Sequence, residues 1–93
     1  MKIVINAKYG GFSLSEAALT LYKAKKNITE DDVYDFDLER NDSVLVEIVE
    51  KLGEDANDDY SKLKIVEIPD DVQWQIVEYD GWEHVAEKHR TWT

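Results

Sequence analysis

Trp74-Gln75-Ile76-Val77-Glu78-Tyr79-Asp80-Gly81-Trp82-Glu83-His84-Val85-Ala86-Glu87 is the stretch on which the reading of this chain turns. Apolar and polar side chains alternate on both sides of Asp80-Gly81, a dipeptide that accepts the positive φ angles of a two-residue hairpin turn. Taking those two residues as the loop sets the register. Tyr79 faces Trp82, Glu78 faces Glu83, Val77 faces His84, Ile76 faces Val85, Gln75 faces Ala86 and Trp74 faces Glu87. Trp74, Ile76 and Val85 then share one side with Glu78, Glu83 and Glu87, and Val77, Tyr79, Trp82 and His84 take the other. A glutamate directly opposite a glutamate is mildly unfavourable without a nearby cation, for which Lys88 and Arg90 are candidates, and two carboxylates on an exposed hairpin ordinarily splay into water. A metal ion between the two carboxylates, or an acid–base pair with one raised pKa, are sharper readings of the same residues. The Tyr79–Trp82 pair either clamps the hairpin or stacks a planar ligand. Val85, His89 and Trp92 also recur at helical spacing, but the Asp-Gly turn favours a strand at least to Ala86.

Outward from the hairpin, Leu63 to Ile68 reads as a strand ended by Pro69-Asp70-Asp71. Ser43 to Leu52 carries Val44, Leu45, Ile48, Val49 and Leu52 at helical spacing. Asn41 or Asp42 can cap it and Gly53 stops it. Val33 to Leu38 alternates with an acidic outer side, as suits an edge strand. Lys2 to Asn6 is a β-branched first strand, followed by a glycine turn over Lys8 to Phe12. Ser13-Leu14-Ser15-Glu16 fits a capping box led by Ser13, which opens a helix from about Leu14 to Lys26. Its expected buried stripe is Leu14, Ala17, Ala18, Leu21 and Tyr22. The expected fold is therefore α+β: one domain over residues 1–93 in the order β-α-β-α-β-β-β. It has a mixed or mainly antiparallel sheet of about five strands, with both helices on one face.

Ninety-three residues with 43% apolar content, three Trp, five Tyr and two Phe suffice for one small core. The absence of cysteine excludes disulfides and thiolate metal sites. The opening apolar run is too short for a signal-peptide core or a membrane span, so a cytoplasmic protein is expected. The net charge of −10 is unevenly placed. Residues 1–28 carry five lysines against one glutamate, residues 29–80 carry eighteen acids against four bases, and residues 81–93 balance. The acidic middle repels phosphates, which argues against direct duplex binding and suits a basic protein partner.

Two segments outside the acidic block are candidate ligand-binding sites. Asn6, Tyr9, Gly10 and Gly11 lie between a strand end and a helix start, where backbone N–H groups can hold an anion. The same glycines are equally suited to a tight turn, and neither phosphate-loop fingerprint is present. Lys88, His89, Arg90 and Trp92 gather a point charge, an imidazole, a guanidinium fork and an indole. A structural reading pins that tail with Trp92. No catalytic constellation, metal site or cofactor is expected, and His84 and His89 stand five apart, a spacing awkward for one ligand set.

The resemblance of this chain to known proteins is carried by several stretches. They are Met1 to Asn6, Tyr9-Gly10-Gly11-Phe12-Ser13-Leu14-Ser15, Glu39-Arg40-Asn41-Asp42, Val46 to Gly53 and Leu63 to Pro69. Glu78-Tyr79-Asp80-Gly81 and Glu87-Lys88-His89-Arg90-Thr91-Trp92 complete it. Together they resemble a family of small phage and bacterial proteins of uncharacterised function. The family commonly has a cysteine just before the Tyr-Gly-Gly-Phe turn, where Lys8 stands here. The resemblance implies a phage or prophage setting and carries no catalytic residues across. The expected role is a non-catalytic accessory protein that binds a host factor or a small nucleotide-like anion and so counteracts host defence. An acidic DNA mimic and a small hydrolase using Glu78, Glu83 or His89 are the alternatives.

Overall fold

The computed structural model describes residues 1–28 and 38–88. Its elements are strand β1 (Lys2–Asn6), helix α1 (Glu16–Lys26) and helix α2 (Ser43–Leu52). A 3-10 turn (Gly53–Ala56) and strands β2 (Leu63–Glu67), β3 (Trp74–Tyr79) and β4 (Trp82–Glu87) follow. The chain is α+β, as expected. The strand expected at Val33 to Leu38 falls outside the described residues except for Leu38, which is buried in the core.

The hairpin forms in the expected register, with all six pairs from Tyr79–Trp82 to Trp74–Glu87. Asp80 and Gly81 take the positive φ values that such a turn requires, 50° and 90°. Among the described residues the expected single sheet of about five strands is not formed. The described strands make two antiparallel pairs, β1 with β2 and β3 with β4. The reason lies along the edge of β1 that faces away from β2. The Val4 N–H donates to the Arg40 carbonyl at 2.8 Å, and the Asn6 N–H donates to the Glu83 carboxylate at 2.8 Å. Side-chain and loop atoms thus occupy ladder positions that another strand would need.

α2 follows its sequence signals closely. Asp42 is the N-cap, accepting from the Val44 N–H at 2.8 Å, and the Gly53 N–H closes the helix on the Val49 carbonyl. Leu45 and Ile48 are fully buried, and Val46 and Val49 nearly so. They pack with Val4, Leu14, Ala18, Tyr22, Leu38 and Ala56 in one core.

α1 starts later than its capping box suggests. Ser15, not Ser13, is the N-cap, and its Oγ accepts from the Ala18 N–H at 3.1 Å. The choice is made by a distant contact. The Ser15 N–H donates to the Ala56 carbonyl at 2.8 Å and its hydroxyl to the Asp55 carbonyl at 2.6 Å, so the 3-10 turn holds Ser15 extended. The stripe shifts accordingly: Ala18 and Tyr22 are buried, whereas Ala17 is exposed.

Asp42 joins the two helices. Besides capping α2 it accepts from the Tyr22 hydroxyl at 3.2 Å and pairs with Lys26 at 2.7 Å. Burial pushes its carboxyl upward, but the hydrogen bonds from Lys26, the Val44 N–H and Tyr22 outweigh that and hold it below 3.8. A lowered folded-state pKa contributes stability above the ordinary carboxyl range, and that stability is lost as pH falls through the folded value. Asp42→Asn keeps a cap but removes the charge. It should cost about 0.5–2 kcal/mol at pH 7. Urea denaturation at pH 7 and near pH 3 should show this difference shrinking in acid.

Candidate functional site

The candidate region is the junction where β1, the glycine turn and the β3–β4 tip meet. Its centre is Asn6, fully buried at the end of β1. The Asn6 amide donates to the carbonyls of Lys8 at 2.7 Å and Gly81 at 2.8 Å, and its Oδ1 accepts from the Lys62 N–H at 2.9 Å. One side chain therefore ties its own turn, the hairpin tip and the entry to β2 together.

Glu83 lies beside Asn6 and is 5% exposed. Its Oε1 receives the Asn6 N–H and Arg40 Nη1, and its Oε2 receives Arg40 Nη2 at 2.8 Å. The pair is a guanidinium–carboxylate fork. The Arg40 plane stacks on Phe12, its central carbon 3.6 Å from the ring centroid, and Nη1 also reaches the Val4 carbonyl at 3.4 Å. The sequence offers Lys88 or Arg90 as the cation near the glutamate pair; among the described residues the donor to Glu83 is Arg40 and not Lys88, and Arg90 falls outside the described residues. Lys88 follows the far end of β4, where its N–H donates to the Gln73 carbonyl, roughly 20 Å of strand from the tip. Glu78, opposite Glu83 in the register, accepts the Gly81 N–H at 3.0 Å. Among the described residues no group of three His, Asp or Glu side chains could hold a metal ion.

The glycine turn and the hairpin tip touch backbone to backbone. The Gly10 N–H donates to the Asp80 carbonyl at 3.0 Å. A Cβ at Gly81 would lie 2.4 Å from the Gly11 nitrogen and 2.6 Å from the Gly10 carbonyl carbon. This close approach requires glycine at position 81, whereas a Cβ at Gly10 would lie 2.6 Å from the Tyr60 carbonyl oxygen.

Four of the sequence candidates, Asn6, Tyr9, Gly10 and Gly11, thus come together. Lys88 lies apart from them, and His89, Arg90 and Trp92 fall outside the described residues. Outward from the junction the surface is aromatic. The Tyr9 ring meets Trp82 edge-on, centroids 5.1 Å apart at 71°. Trp82 faces Tyr79 across the strands, and Val77 faces His84 one pair farther along on the same side. Tyr60, missed in the sequence because it sits in an acidic loop, backs onto Gly10. Tyr60 and Tyr79 are each 70% exposed, Tyr9 59% and Val77 47%.

Comparison with protein-family models, with curated proteins and with solved structures finds no match to this chain. No described helix is long and apolar enough to cross a membrane.

Removing one member of the fork leaves a buried charge unpaired. Glu83→Leu and Arg40→Met should each cost about 3–5 kcal/mol in chemical denaturation. The double variant should lose clearly less than their sum, with about 1–3 kcal/mol remaining for the Asn6 N–H left without an acceptor. Gly81→Ala should cost roughly 1–3 kcal/mol in backbone strain alone. It should cost more than Gly11→Ala, because Gly11 also has positive φ but open space around its Cβ position.

Proposed function

We propose that this chain is a non-catalytic binding protein that docks a host protein through the aromatic surface around the β3–β4 tip. The phage setting and a role against host defence rest on the sequence resemblance described above. One observation carries the docking reading: Tyr9, Tyr60, Val77, Tyr79 and Trp82, the exposed large apolar side chains among the described residues, all belong to the hairpin's outer face or to the turns against its tip. Isolated exposed apolar residues are ordinary, but a gathered aromatic surface is the usual composition of an interface centre. Tyrosine and tryptophan provide large rigid contact area with a polar edge.

The protein form of this role is favoured over a small anion in the glycine turn. The Gly10 N–H is already donated to Asp80, and Gly81 packs against the backbone of Gly10 and Gly11. Catalysis has little support in the junction itself, because the Asn6 and Glu83 side-chain oxygens and the Arg40 fork are engaged with one another or with backbone.

The test is affinity capture from host lysate with the wild-type chain, Tyr79→Ala and Lys64→Ala, whose lysine is exposed on β2. Tyr79→Ala should leave the thermal midpoint unchanged within error and weaken the captured partner about 30-fold or more, as for an interface hot spot. Lys64→Ala should retain it. Equal retention by Tyr79→Ala would place the binding surface elsewhere.

A further inference from the structure

Resting on that docking surface, we infer that its occupant is a basic protein segment presenting arginine side chains to the aromatic rings. Two carboxylates stand at the surface without intramolecular partners among the described residues. Asp80 lies in the turn between Tyr79 and Trp82, and Asp59 precedes Tyr60. Their charges are not consumed by contacts among the described residues. Lys8 is the nearby cation, and its ammonium contacts the Asp59 carbonyl at 3.2 Å rather than either carboxylate.

The chemistry of ring plus carboxylate selects a planar cation. A guanidinium lies flat on an aromatic face and directs its N–H fork to a carboxylate in the same plane. This chain already uses that combination inside itself. Arg40 stacks on Phe12 while forking Glu83, and Lys26 sits over Tyr22 at 5.8 Å while pairing with Asp42. At the hairpin tip the aromatic and acidic halves are present at the surface, and among the described residues no cation pairs with these two carboxylates. The net charge of −10 adds a long-range field that draws a basic surface inward and repels an acidic one.

The experiment uses the full chain, isotope-labelled, titrated by NMR with three short glycine-spaced peptides bearing three arginines, three lysines or three glutamines. The arginine peptide should shift the Trp82 indole and the amides of Tyr9, Tyr60, Tyr79 and Asp80. It should bind about fivefold more tightly than the lysine peptide. Asp59→Asn with Asp80→Asn should remove most of that preference without altering the thermal midpoint. A glutamine peptide that binds this surface as well as the arginine one overturns the basic-partner inference and leaves the docking surface standing. Shifts centred on Glu47, Glu50 or Glu54, or none with any peptide at millimolar concentration, overturn it too. Loss of the captured host partner in Tyr79→Ala reads the docking surface separately.

Discussion

The forked pair between Arg40 and Glu83 sets the arrangement of everything around it. Glu83 projects from the inner face of the hairpin, and Arg40 comes from the segment just before α2. Between them lies the free edge of β1, whose Val4 and Asn6 backbone groups they satisfy. Buried ion pairs contribute little net stability against a well-packed apolar replacement, but separating one strands a charge. The pair therefore penalises every arrangement that moves the hairpin from β1. Phe12 covers the guanidinium and brings the glycine turn into the same unit.

This constraint relates the inner and outer faces of the hairpin. Alternation places Glu83 inward and Trp82 and His84 outward, so anchoring one face determines how the other is presented. Asn6 and the Gly10–Gly81 contact hold the tip from below, where Asn6 binds the Gly81 carbonyl and Gly10 binds the Asp80 carbonyl. Tyr9, carried by the same turn, then meets Trp82 at a defined angle. A surface of rigid rings on an anchored hairpin loses little conformational entropy on binding, which is what recognition by a small domain requires.

What the sequence made legible was local. The hairpin register follows from an Asp-Gly turn between alternating strands, and α2 follows from its cap, its spacing and Gly53. What it concealed was set by contacts far apart in the chain. Asn6 and Glu83 are separated by 77 residues and Arg40 and Glu83 by 43, and no periodicity announces such pairings. The same holds for the start of α1. Two serines in one motif compete for the cap, and the Asp55 carbonyl, 40 residues away, decides for Ser15. The sequence reading names Asn6 as a candidate ligand contact. Its partners Lys8, Lys62 and Gly81 show it to be a tie between turns.

The most direct measurement of the central constraint is native-state amide hydrogen exchange. Asn6 ends a strand, and an unanchored strand end frays, so its amide would then exchange by local opening at a rate close to that of Lys8. If the Arg40–Glu83 pair holds the hairpin on β1, the amides of Asn6 and Val4 exchange only through global unfolding, as slowly as those of Ile3 and Ile5. Rapid exchange at Asn6 alongside slow exchange at Ile3 and Ile5 would contradict the account.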